Sequence, residues 1–243
     1  MLDISPITRF AFYRTMVNKM KRICIAIDKS DNDFDLLKFT SQFPKNVMFK
    51  IGLEYFTKFG SKGIAELNHD VFLDLKFHDI PNTVYHAVNS ACSIRNVKLL
   101  TIHASGEEDM IKAAMKACDD AKSEVKIICV TKLTSQKSSI QEVLDLAQVA
   151  LDAGADGIVC SAMEVKFVRE QFGAKPIIIT PGIRPEWYET KDDQVRIATP
   201  KQAFAEGSSI IVIGRPITQN ENPAKAYEMV LGEVKNYDDN NSV

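Results

Sequence analysis

The chain has 243 residues, 45% hydrophobic and 26% charged, with a formal net charge of −2. That length suits one α/β barrel, which takes about 250 residues, and the apolar share can fill a sizeable core. No apolar run approaches the roughly 18 residues of a membrane span, and the near-neutral balance excludes a general attraction to nucleic acid or anionic membrane, so an anionic ligand must be held by a few local cations.

Residues 1–20 are read as an N-terminal extension ahead of a single domain over residues 21–243. Residues 1–22 carry Arg9, Arg14, Lys19, Lys21 and Arg22 against one acid, Asp3. A transit peptide is basic and acid-poor in the same way, but no Ser-rich amphipathic stretch accompanies these charges. From Arg22 onward, short apolar runs alternate with amphipathic stretches. The runs are Ile23–Ile27, Val47–Ile51, Val71–Leu75, Leu99–Ile102, Lys126–Val130, Gly157–Cys160, Pro176–Thr180 and Ile210–Ile213. Several are nearly continuous in hydrophobicity, as strands covered on both faces should be. Between them, helices are predicted over Phe34–Phe43, Glu107–Ala121, Ile140–Ala153 and Ala162–Phe172, with a last one over Pro223–Lys235. Strand–helix alternation means βαβ units, and eight such runs predict a closed (β/α)8 TIM barrel rather than an open sheet. The five cysteines, Cys24, Cys92, Cys118, Cys129 and Cys160, show no CxxC spacing and fall mostly in apolar runs. They read as reduced core residues of a cytoplasmic protein, and no metal is expected.

Such a barrel carries its active site on the C-terminal ends of its strands. Those ends form a sharply polar set: Asp28, Lys50, Asp74 and Lys76 with Asp79 just beyond, His103, Thr131 to Thr134, Ser161, Pro181 to Arg184, and Gly214 with Arg215. The segment Asp152 to Gly157 resembles a phosphate loop, but it follows a helix and precedes a strand, so Gly154 is assigned to helix capping. Asp74 and Lys76 share a strand face by their i, i+2 spacing. With Lys50 and Asp79 they would set two ammoniums among two carboxylates at the barrel mouth. A lysine between carboxylates stays protonated, which makes it a poor nucleophile and a well-placed acid. Decarboxylation without metal or cofactor calls for such an array, because the departing CO2 leaves a carbanion to be stabilised and protonated. The same four residues also suit a salt-bridge network that merely closes the barrel mouth. Arg215, which can grip two phosphate oxygens, sits beside Gly214, which allows close backbone approach. Arg184 opens a polar stretch to Ala198 that holds Gln194 and Trp187 and reads as a lid. His78 and His103 are read as packed or hydrogen-bonded residues, and Trp187 as a lid anchor.

Asp74-Leu75-Lys76-Phe77-His78-Asp79 followed by Ile80-Pro81-Asn82-Thr83 resembles the signature of the orotidine 5'-phosphate decarboxylases of bacterial type. The resemblance runs from Lys21 onward. It takes in Ile25 to Asp28, Phe49 to Gly52, Val130 to Ser135, Thr180 to Arg184, Asp192 to Gln194 with Thr199-Pro200, and Val212 to Pro216, all in family order. It implies decarboxylation of orotidine 5'-phosphate to UMP in pyrimidine synthesis, with no cofactor. It also implies roles. Lys76 protonates C6, Asp74 lies against the substrate carboxylate, and Lys50 holds the ribose and the charge network. Asp28 binds ribose hydroxyls and Thr134 the pyrimidine edge, while Arg184, Gln194, Gly214 and Arg215 take the phosphate. Asp79 and Thr83 reach across a homodimer into the partner's site. Three other readings stand beside this one: a metal-dependent sugar-phosphate decarboxylase or epimerase using Asp28, Asp74 and Asp79 as oxygen ligands, a Schiff-base aldolase, and a non-catalytic nucleotide-binding protein.

Overall fold

A computed structural model describes residues 22–28, 34–189 and 197–240. The predicted extension and Gln194 lie outside these described residues. Eight strands, β1 (Arg22–Ile27), β2 (Met48–Ile51), β3 (Asp70–Phe77), β4 (Val97–His103), β5 (Lys126–Val130), β6 (Gly157–Val159), β7 (Ile177–Thr180) and β8 (Ile210–Ile213), form a closed parallel barrel in sequence order. Pairing of Arg22 to Ile25 with Ile210 to Ile213 shuts it. The helices are α1 (Leu36–Thr40), α2 (Leu53–Phe59), α3 (Lys62–Ala65), α4 (Pro81–Cys92), α5 (Glu107–Asp120), α6 (Ile140–Asp152), α7 (Ala162–Phe172), α8 (Pro200–Ala205), α9 (Arg215–Thr218) and α10 (Pro223–Asn240). The first predicted helix is shorter than its apolar pattern: α1 starts only where Asp35 caps it, through a bond from Lys38 N–H. Among the described residues, no helix is long and apolar enough to cross a membrane.

Local chemistry sets the element ends. Ser139 and Glu142 cap α6 reciprocally, at 3.2 Å and 2.8 Å, which satisfies two backbone donors that the first turn would leave open. Pro81 opens α4 at a position where its missing N–H costs nothing. Gly154, at φ +96°, follows the end of α6 in the left-handed region, as its capping role requires.

Two apolar layers hold the barrel. The larger lies between strands and helices and includes Ile25, Phe49, Leu73, Leu100, Ile127 and Ile213. The smaller fills the axis with Cys24, Ala26, Met48, Phe72, Leu99, Ile128, Ile179, Ile210 and Val212. Strand side chains alternate sides, so each strand splits its residues between the two. That alternation decides which residues reach the site.

Candidate active site

Counting by two up each strand leads from the axial core into the polar set. Cys24 and Ala26 lead to Asp28, Met48 to Lys50, Phe72 to Asp74, Leu99 to Thr101, and Val212 to Gly214. Asp28, Lys50, Asp74, Lys76, Thr134, Arg184, Gly214 and Arg215 line one cavity of about 240 Å³ at the C-terminal mouth.

At the β1–β3 side of this cavity the charges alternate in a row. Lys50 Nζ lies 3.1 Å from Asp28 Oδ1 and 3.4 Å from Asp74 Oδ2. Lys76 Nζ donates to Asp74 Oδ1 at 2.9 Å, and Thr101 Oγ1 donates to the same oxygen at 3.0 Å. Burial opposes ionisation of Asp74, but Lys50, Lys76 and the bonds from Lys76 and Thr101 together hold its carboxyl below the usual carboxylate range. Burial likewise opposes charge on Lys50, and Asp74 and Asp28 outweigh it and raise its pKa. Both ends of this pair are therefore charged at neutral pH.

The backbone beneath is irregular. Leu73 pairs with Leu100, yet Phe77 pairs with Ile102, so β3 spends four steps where β4 spends two. The surplus is a bulge that holds Asp74, Leu75 and Lys76. Lys76 sits there at φ +51°, a left-handed conformation that costs a non-glycine residue about 1–3 kcal/mol. Bulges near active sites re-aim side chains, and this one turns Lys76 onto Asp74. The even spacing of Asp74 and Lys76 predicts a shared face, but they meet on a distorted strand rather than a regular one.

The space itself depends on Gly52, which follows β2. A Cβ there would stand 2.8 Å from Asp28 Oδ1 and 3.1 Å from Lys50 Nζ. Its φ of −96° suits any residue, so what glycine provides is room for the ends of the Asp28 and Lys50 side chains rather than a special conformation. Gly214 differs. A Cβ would meet Ala26 Cβ at an ordinary 3.5 Å, so the chain's own packing does not demand glycine at that position.

The Orotidine 5'-phosphate decarboxylase / HUMPS family model matches residues 21–230. The chain belongs to this family. An orotidine 5'-phosphate decarboxylase from Fusobacterium nucleatum subsp. nucleatum is 41% identical over 226 residues, covering 86% of this chain and 94% of the relative. One from Staphylococcus saprophyticus is 40% identical over 226 residues, covering 87% and 97%. The crystal structure of orotidine 5'-phosphate decarboxylase from Lactobacillus acidophilus superimposes with a TM-score of 0.76 at 36% identity, covering 88% of this chain and 98% of that one.

Within this family barrel, the structure departs from the expected tetrad in one respect. Asp79 does not join the charge row of its own chain. Its Oδ1 accepts the N–H of Ile80 at 2.7 Å, and both Asp79 and Thr83 are exposed outside the cavity. The carboxylate that completes the row is Asp28. Pro81 starts α4 two residues after Asp79 and carries the chain outward, which is why closeness in sequence fails here. Thr101, which the structure buries fully, has no role in the strand-end pattern, and its one sequence signal is a threonine inside the apolar run Leu99–Ile102. Lys132 lines the cavity and pairs with Glu142 at 3.2 Å, and the stretch Val130 to Ser135 contains it without marking it out. His78 and His103 face each other, ring centroids 5.4 Å apart, in an adjoining cavity. Burial, His78 and Lys76 all lower the pKa of His103. Trp187 packs against the outer core. The ends of the Arg184–Ala198 stretch are pinned together: Arg184 N–H donates to the Ala198 carbonyl at 2.9 Å.

Proposed function

We propose that this chain is a carboxy-lyase that converts orotidine 5'-phosphate to UMP and CO2 in pyrimidine synthesis, with neither metal nor cofactor. The observation that carries this reading is the Asp28–Lys50–Asp74–Lys76 row, at 2.9–3.4 Å between neighbours, in a cavity that also holds Arg184 and Arg215. Lining that cavity are five cationic side chains, including Lys132, against two carboxylates. A chain with net charge −2 thus concentrates positive charge where a nucleotide bearing both a phosphate and a carboxylate would sit.

The chemistry follows from the row. The C6–carboxyl bond breaks with its electron pair left on C6, and CO2 departs. Lys76 Nζ, oriented by Asp74, offers stabilisation to the forming carbanion and then transfers its proton to C6. Asp74 lies against the substrate carboxylate, Lys50 and Asp28 hold the ribose, and Thr134 reads the pyrimidine edge. Arg215 and Arg184 take the phosphate, with Gln194 from the lid. Gly214 leaves room for the phosphate, in keeping with the absence of any packing demand for glycine there. Asp79 and Thr83, exposed on their own chain, serve the site of a second copy in a homodimer. A cytoplasmic setting agrees with five cysteines that form no disulfide among the described residues.

Metal-dependent chemistry on the same barrel is disfavoured by Lys50, whose ammonium stands between Asp28 and Asp74 where a divalent ion would have to bind. The test is direct. Purified protein with excess EDTA should consume orotidine 5'-phosphate, followed by its ultraviolet absorbance, and release UMP. Absence of turnover, or turnover that needs added Mg2+, would overturn the reading.

A further inference from the structure

We propose that Thr101 is a positioning residue of this site, its hydroxyl locking the bulged β3 backbone and the Asp74 carboxylate into one unit so that Lys76 points at the reacting atom. This rests on the proposed decarboxylation.

The hydroxyl lies in a two-bond relay. It accepts the Lys76 backbone N–H at 2.9 Å and donates to Asp74 Oδ1 at 3.0 Å. Its direction is forced, because an amide N–H can only donate and the hydroxyl has one proton to give. The relay stands where the sheet is broken. Between Leu73–Leu100 and Phe77–Ile102 the ladder loses register, so the Lys76 N–H has lost its regular strand partner. Thr101, fully buried on the adjoining strand, supplies the replacement. Lys76 is one of three non-glycine residues with positive φ among the described residues, and such strain persists only where surroundings over-determine it.

The same oxygen of Asp74 receives Lys76 Nζ. Thr101 therefore grips residue 76 at its backbone while Asp74, which Thr101 also grips, holds the far end of its side chain. A methyl group in place of the hydroxyl leaves an amide without an acceptor and a carboxylate short of one donor, and it releases the ammonium from its fixed direction. Thr101 itself does not line the cavity, so its effect on the substrate is through Asp74 and Lys76.

The experiment compares Thr101→Val, which keeps the shape, with Thr101→Ser, which keeps the hydroxyl, both as full-length protein and both checked for folding by circular dichroism. Misplacing a catalytic group by about 1 Å costs about 10²-fold. Thr101→Val should lose turnover on that scale while the Kd for UMP moves less than about threefold, and Thr101→Ser should recover most of the loss. If Thr101→Val does not fold, Thr101→Cys against Thr101→Ser poses the same question, since a thiol is a weak partner in both bonds. Equal turnover in the hydroxyl-bearing and hydroxyl-free variants, or a loss matched by a loss of UMP affinity, would overturn the role. Wild-type protein is assayed alongside. Should it fail to decarboxylate, the proposed reaction falls, and amide hydrogen exchange then decides the relay by itself: Lys76 N–H should be protected with Thr or Ser at position 101 and lose protection with Val or Cys. Unchanged protection would sink the relay.

Discussion

Asp74 is charged because donors on three sides outweigh a burial that alone would keep it neutral. Its folded pKa is depressed, so it contributes stability above its ordinary value of 3.8, and that contribution is lost as pH falls through the folded value. Lys50 is the mirror case. Its raised pKa makes its contribution present below 10.5 and lost only as pH rises through the folded value. Asp74→Asn resembles permanent protonation. It should therefore be less stable than the parent at neutral pH, with the gap closing in acid as the parent's own Asp74 takes up a proton. Urea midpoints from pH 7 down to pH 3 check this, and a gap that stays constant would contradict it. Lys76 carries a different prediction. As the proposed proton donor, its replacement by Ala should cut turnover by at least about 10²–10⁴-fold. UMP binding by calorimetry should persist, because Arg184, Arg215 and Asp28 remain. Turnover within tenfold of the parent would remove Lys76 from the chemistry.

Strand β2 shows how one element serves the site through its end rather than its length. It contributes Met48 to the axial core and Lys50 to the charge row, then stops at Gly52, where the chain passes under the Asp28–Lys50 pair. Alanine at position 52 puts a methyl group against the far ends of two side chains, not against backbone, so the fold is kept while the pair must shift aside. Gly52→Ala should melt close to the parent yet lose activity by about 10²-fold, the expected effect of displacing a site group by about 1 Å. Thermal midpoint and kcat on the same preparation test this, and full activity would show that the pair tolerates displacement. Strand β3 works oppositely, through irregularity: its bulge, held by Thr101, is the part of the sheet that no periodic pattern describes.

For the whole molecule, the question is where Asp79 and Thr83 act. They stand exposed at the start of α4, beside Ile80, which is 66% exposed. A site completed across a two-fold axis makes a sharp prediction. Lys76→Ala and Asp79→Ala proteins, each nearly inactive alone, are unfolded and refolded together. In a mixed dimer one site receives both lesions and the other neither, so random pairing should restore about one quarter of the parent's sites. Mixtures that stay inactive while mass spectrometry shows heterodimers would place Asp79 in the service of its own chain.

The barrel was legible because its signals are local and repeated: eight apolar runs, separated by caps and amphipathic stretches, match the eight strands that close it. The strand-end rule then named Asp28, Lys50, Asp74, Lys76, Arg184 and Arg215, since period-two alternation carries core residues into site residues on the same face. Alternation could not reveal who pairs with whom. Asp79 is five residues from Asp74 in sequence, yet Pro81 and α4 carry the chain away from the cavity. Asp28 is 22 residues from Lys50, yet β1 and β2 lie in register, Ala26 beside Lys50. Thr101 acquires its place only where β3 and β4 fall out of step, because a hydrogen bond missing from one strand must be replaced from its neighbour. Residue type and spacing determine the face a side chain takes. Which partners wait on that face is a matter of contacts between strands, and those exist only in the closed barrel.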